Sequence, residues 1–341
     1  MYNSQVEEIN DSLKKTGKAI ISIGCSFVQG QGAINDTLYD NFEWEYKGEG
    51  ASLKPTLTDK DVKRILKQYP ATKRAKDGSI DFTFLEYANS FVNILCNRYF
   101  NHTYTPINLG LRGCGNRGSI KELYFHPDIR WSLAKEVIVV YMPSGLERFD
   151  FINDTCDDHF RWVCMWPHYE SMEPSDRRTL WEGYGKNLWS EKFGVLEQIG
   201  HVQELLSWCT AHNNAKLIIT PGFDKRYDKD YFEYILKQDV RRADDYNNTI
   251  PVELKPSWDP KHSRKLLNQF PWRLMFSPAN KKTFAELALS QEPDVEDRTD
   301  YYFQFLGNRS PNGWITPCAH PGEKAHDLFA KYLHNHILSL Q

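Results

Sequence analysis

Apolar positions along this chain fall into two kinds of run. Four runs are short and nearly continuous: "AIISIG" at 19–24, "YTPINLG" at 104–110, "EVIVVYM" at 136–142 and "AKLIITPG" at 215–222. Runs of this length, closed by turn residues, predict strands buried on both faces of a parallel sheet. Three longer segments, 84–100, 194–213 and 322–340, carry apolar residues at helical spacing. Strands alternating with helices predict a doubly wound α/β sandwich. In such sheets ligands sit beyond the carboxyl ends of the strands. The glycine-rich turns at 24–32 and 110–118 both fall there.

Three polar stretches, 36–82, 150–192 and 223–312, do not fit a minimal sandwich and are expected to be insertions on a single domain spanning 1–341. The chain has 341 residues with 42 basic and 45 acidic side chains, a net charge of −3. No global field therefore favours nucleic acid or an anionic membrane. The polar start "MYNSQVEEINDSLKKTGK" has no apolar core of a signal peptide, and no apolar run approaches the roughly 20 residues of a membrane span. Seven cysteines, an odd number without framework spacing, favour reduced thiols and a cytoplasmic setting.

Three motifs carry chemistry. In "ISIGCSFVQGQG" (21–32) Ser26 follows the first strand and falls in the strand-to-helix turn, where backbone N–H groups face the space above it. With a base beside it Ser26 is a nucleophile; without one it is a helix cap. Its neighbour Cys25 is a second candidate, since a thiolate is favoured at a helix N-terminus. In "INLGLRGCGNRGSI" (107–120) a strand ends at Asn108 and glycines follow at 110, 113, 115 and 118. The GK[ST] ending of a phosphate loop is absent. In "PCAHPGEKAH" (317–326) His320 stands in a loop before the last helix.

Taken together and in this order, the motifs resemble the SGNH, or GDSL-type, hydrolases. Gly24-Cys25-Ser26 with Gly30 stands for the first family block, Asn108, Gly110 and Gly113 for the second, and His320-Pro321 with the helix after it for the last. The resemblance implies a flavodoxin-like three-layer sandwich with a parallel sheet, the SGNH hydrolase fold, carrying large insertions. It implies Ser26 as nucleophile and His320 as general base, with the backbone N–H groups of Ser26 and Gly113 lining an oxyanion hole. Cys25 then occupies the family's aspartate position and turns away from the site. Two signature side chains are missing. The aspartate three residues before the histidine is Pro317 here, and "YMPSGLERFDF" after the third strand has no asparagine. Asn116 is expected as a substitute oxyanion donor.

The expected activity is ester hydrolysis through Ser26 and His320, on a small-molecule or glycan ester such as a carbohydrate O-acetyl group, with no cofactor. Two alternatives stay open: a non-catalytic binding or virion-assembly protein of the same fold, and an O-acyltransferase using the same residues. The wording "IGCSF" with "HPGEKAH" also resembles SGNH-like proteins of tailed-phage genomes, which implies a host cytoplasm or a virion as the setting. Arg148, Trp162 and Trp166 are substrate-binding candidates, the tryptophans through flat apolar faces suited to sugars. Cys156, His159, Cys164 and His168 have a compact zinc-knuckle spacing but are read as a chance cluster. The basic run Lys63–Lys76 is read as a solvated helix face rather than a nucleic-acid contact.

Overall fold

A computed structural model describes residues 3–34, 44–47, 52–68, 73–74, 80–111, 113–153, 161–165, 190–212, 215–237, 260–292, 310, 312–316 and 320–340. Four parallel strands form its centre: β1 (Lys18–Gly24), β2 (Thr105–Asn108), β3 (Glu136–Met142) and β4 (Lys216–Ile219). Their order across the sheet is β2-β1-β3-β4. A single parallel bridge from Ile219 to Met275 extends the sheet past β4. Three strands fall inside the apolar runs that predict them, and β1 starts one residue earlier than its run, at Lys18. The order reverses between β1 and β3, so the carboxyl ends of those two strands flank the crevice where doubly wound sheets bind ligands.

Side chains alternate between two buried layers. Ile21, Ile23, Val139, Tyr141 and Ile219 face helices α1 (Asn3–Thr16), α4 (Asn116–Lys121), α5 (Glu191–Ala211) and α6 (Lys229–Lys237). Ile20, Ile138, Val140, Met142 and Ile218 face α2 (Ser26–Gln29), α3 (Phe91–Ile94), α7 (Phe284–Leu289) and α8 (Glu323–Ser339). The result is a three-layer arrangement of the doubly wound α/β sandwich that the alternating strands and helices predict. At roughly 25 cal/mol per Å² of apolar surface removed from water, burial on both faces of the sheet is the main drive for this arrangement.

Two elements differ from expectation. Segment 84–100 is not one helix: a helix Thr83–Ala88 stops, α3 restarts, and a π-helical turn runs over Leu95–Tyr99. The break is at Ser90, whose backbone is extended and whose Oγ donates to the Tyr87 carbonyl and accepts from Asn108 Nδ2. Tertiary hydrogen bonds here outweigh helical periodicity. Stretch 223–312 also reaches the core, because Phe232 and Leu236 join one layer and Phe284 and Leu289 the other. Within 36–82, the helix Asp59–Gln68 buries Val62 and Ile65 against Ile34, Ile80 and Leu85, and leaves Lys63, Arg64 and Lys67 exposed. An antiparallel hairpin, Phe149–Asn153 with Arg161–Met165, follows β3. Among the described residues no helix is long and apolar enough to cross a membrane.

The core holds an uncharged histidine. His326, in α8, is fully buried, with its ring stacked on Phe91 at 6.2 Å and set edge-on to Phe284 at 4.9 Å. Its Nδ1 accepts the Phe91 N–H at 3.1 Å, so the proton sits on Nε2. Burial pushes its pKa down to about 3, and burial pushes that of His201 in α5 down to about 4, both from the usual 6.5. On unfolding, both regain the ordinary value, so the unfolded chain binds protons that the folded chain does not. Stability is thus insensitive to these groups above pH 6.5 and falls as the pH drops from there toward 4. Thermal melts should show a falling melting temperature across that range. His326→Gln should start lower yet fall less steeply; an unchanged slope would contradict a neutral buried His326.

Candidate active site

The site begins where β1 stops. The chain turns at Gly24, Cys25 takes the cap position of α2, and Ser26 is the first helical residue. The N–H groups of Val28 and Gln29 close the turn onto the Cys25 carbonyl at 3.0 and 3.2 Å. Cys25 itself is fully buried in the core layer with Phe27 and Val28. Ser26 Oγ lies 2.8 Å from His320 Nε2, although the residues are 294 positions apart in sequence. Both side chains are close to fully buried. Among the described residues, the N–H groups of Ser26 and Gly113 donate to no protein acceptor. A first-turn N–H with no acceptor is a donor available to a developing negative charge.

Asn108, the last residue of β2, ties this turn to the second glycine loop. Its Nδ2 reaches the Val28 carbonyl at 2.9 Å, the Gln29 carbonyl at 3.4 Å and Ser90 Oγ at 3.0 Å, and its Oδ1 accepts the Gly110 N–H at 2.9 Å. Gly110 packs so tightly on α2 that a Cβ there would lie 2.3 Å from the Gln29 nitrogen. On either side of it the N–H groups of Leu109 and Leu111 bond the carbonyls of Ser22 and Gly24, at 2.8 and 3.0 Å. Gly113 follows, exposed, with a left-handed φ of +66°.

His320 is held through its backbone. Thr316 donates to its carbonyl from both N and Oγ1, at 2.9 and 3.0 Å, and Pro321 bridges to Ile315. The loop before it is built around Glu292, a fully buried carboxylate that accepts from Ser310 Oγ, from the N–H groups of Asn312 and Trp314, and from Asn312 Nδ2. Pro317 lies outside the described residues. The imidazole packs on Phe27 at 5.1 Å between centroids; Phe27 packs on Phe223 at 5.5 Å, and the Arg148 guanidinium stands 5.2 Å over Phe223.

The loop after β3 is fixed by a buried polar network. Asn116 Oδ1 accepts the Ser144 N–H at 2.7 Å, while its Nδ2 donates to Tyr227 Oη at 3.0 Å and reaches the carbonyls of Ser144 and Gly145. The Asn116 amide, expected as an oxyanion donor, is thus directed at Tyr227 Oη and at the loop after β3. Burial raises the pKa of the Tyr227 hydroxyl well above its ordinary value and keeps it a neutral donor, to the Ser144 carbonyl at 2.8 Å. Arg226 reinforces the same loop by pairing with Asp224 and Glu147, and Asp224 accepts the Leu146 N–H at 3.1 Å. Arg148 is buried, with Nη1 donating to the Cys114 carbonyl at 3.1 Å. Trp162 belongs to the hairpin, where only the backbone is described, and Trp166 lies outside the described residues, as do Cys156, His159 and His168. Among the described residues no group of three or more His, Cys, Asp or Glu could hold a metal ion.

No family model matches this sequence, and no curated protein matches it. Structural similarity extends to a protein described as a lipolytic protein of the G-D-S-L family from Desulfitobacterium hafniense, at 12% identity and a TM-score of 0.33, over 93% of this chain and 98% of that one. It extends also to a catalytic mutant of Axe2, an acetylxylan esterase from Geobacillus stearothermophilus, at 12% identity and a TM-score of 0.35, over 94% of each chain. A second Axe2 mutant aligns with the same values.

Two glycine substitutions separate packing from backbone conformation at this site. Gly110→Ala drives a methyl into the α2 backbone and should cost about 1–3 kcal/mol, read from denaturant midpoints. Gly113→Ala meets nothing within 4 Å and bears only the left-handed φ, about 1–2 kcal/mol. A Gly110→Ala variant as stable as the wild type would contradict the close approach of Gly110 to Gln29.

Proposed function

We propose that this protein is a serine esterase of the SGNH type. The single observation that carries the proposal is the 2.8 Å contact between Ser26 Oγ and His320 Nε2 at the carboxyl end of β1. The order of the three sequence blocks and the unpartnered Ser26 and Gly113 N–H groups support it. In this reading the Ser26 hydroxyl donates its proton to His320 Nε2 as Oγ attacks the ester carbonyl. The tetrahedral oxyanion faces the N–H groups of Ser26 and Gly113. The imidazolium then protonates the departing alcohol and leaves an acyl-serine. Water, with its proton drawn off by His320, releases the acid and restores Ser26.

With no carboxylate three residues before it, the imidazole is steadied by its backbone bonds to Thr316 and by the Phe27 ring among its contacts. An O-acetyl group on a carbohydrate is the substrate class we assign, and the bacterial cytoplasm the setting, within an infected host if the chain is phage-encoded. An alcohol in place of water would turn the same residues to O-acyl transfer. The missing aspartate favours the competing reading, a non-catalytic binding protein on the same fold.

These readings separate with p-nitrophenyl acetate and a fluorophosphonate probe. The wild type should turn over the ester and take the label; Ser26→Ala should do neither. His320→Ala should lose on the order of 10²–10⁴-fold in kcat. Wild-type activity should fall on the acid side as the imidazole takes up a proton, and that limb should vanish in His320→Ala. Labelling that persists in Ser26→Ala would remove Ser26 from the nucleophile role. No label and no turnover in the wild type would favour the binding protein.

A further inference from the structure

Two charged side chains of the segment after β3 hold one peptide unit of the second glycine loop from opposite sides. That unit joins Cys114 to Gly115. Arg148 Nη1 donates to its carbonyl at 3.1 Å, and Asp150 Oδ1 accepts its N–H at 2.7 Å. Asp150 is fully buried, and its other oxygen, Oδ2, accepts the Gly118 N–H at 2.8 Å, so the carboxylate straddles the first turn of α4. Negative charge is favoured at that end of a helix. The approach is close enough to require glycine: a Cβ on Gly115 would lie 2.6 Å from Asp150 Oδ2.

The held peptide lies just past Gly113. Gly113 is exposed, has the conformational freedom of glycine, and has no heavy atom within 4 Å of its Cβ direction. Its backbone is held on one side by the Leu111 N–H on the Gly24 carbonyl and on the other by the Arg148–Asp150 grip on the 114–115 peptide, with the Cys114 N–H closing the turn onto the Leu111 carbonyl at 3.5 Å. Hydrogen bonds to ionised groups are about twice as strong as neutral ones, and stranding a buried partner costs more still.

We infer that Asp150 and Arg148 are positioning residues for the oxyanion-hole N–H of Gly113. They touch neither substrate nor Ser26 in this account and act by locking the 114–115 peptide. The assignment rests on the serine-esterase reading above. An interaction that matters only when the oxyanion forms changes kcat and leaves KM alone.

The test uses the full chain, with active sites counted by fluorophosphonate titration, so that misfolded protein does not enter kcat. With p-nitrophenyl acetate, Asp150→Asn and Arg148→Met should each lower kcat per titrated site by roughly 10- to 100-fold, with KM within about twofold of wild type. Gly115→Ala, which drives a methyl onto the carboxylate, should do the same. In the Asp150→Ala background that methyl has room, so Asp150→Ala/Gly115→Ala should be no slower than Asp150→Ala alone. Should Asp150→Ala fail to fold, Asp150→Asn and Gly115→Ala report on the same contact. A kcat per site within twofold of wild type in these variants, with the wild type labelled on Ser26, overturns the positioning role alone. A wild type that takes no label on Ser26 overturns the serine-esterase reading, and the positioning role with it.

Discussion

The hydrogen bonds of Asn108 bring the two halves of the candidate site to one place. Backbone pairing carries the loop after β2 along β1 as far as the Leu111 N–H on the Gly24 carbonyl. Beyond that, one side-chain amide joins it to the turn after β1: it takes up the carbonyls of α2 on one side and the Gly110 N–H on the other. The absence of a side chain on Gly110 lets the loop close onto α2. With those contacts made, Ser26 is presented at the end of β1 and Gly113 lies a few residues past an anchored backbone. A buried amide with all its bonds satisfied is stabilising, and the same amide left unpaired costs about 1–3 kcal/mol. The geometry of the site and the stability of the fold are thus coupled at this residue.

Around that joint, buried charges do the positioning. Glu292 gathers the loop before His320, Asp150 and Arg148 grip the second glycine loop, and Asp224 with Arg226 secures the loop after β3. Most of these contacts run from an ionised side chain to backbone, the kind of bond that holds an irregular loop in one conformation. The residue three before His320 is Pro317, which carries no carboxylate. The backbone of His320 is tied to Thr316, and its ring lies against Phe27.

The sheet was legible in the sequence because strands buried on both faces must be almost wholly apolar, and four such runs stand out from a polar chain. The helices at 191–211 and 323–339 were legible from the helical spacing of their apolar residues. Helix α1 was not, since it buries Val6 and Leu13 behind an otherwise polar surface. Ser26 and His320 stand out because each sits at a punctuated turn, and the structure sets them in contact. Asn116 shows the limit of that reasoning. Its place in a glycine loop suggests a free donor, yet Ser144 and Tyr227, distant in sequence, take up its amide. Asp150 and Glu292 left no signal either, because a carboxylate that binds remote backbone N–H groups looks like a solvated one until the chain is folded.

The central claim is that Ser26 becomes acylated with His320 as its base. Its most direct test is to quench the protein during turnover of p-nitrophenyl acetate and map the acetyl group by peptide mass spectrometry. The account predicts an acetyl ester on Ser26 that accumulates in the wild type and is absent from Ser26→Ala. An acetyl group found on Cys25, or turnover without any adduct on Ser26, would contradict it.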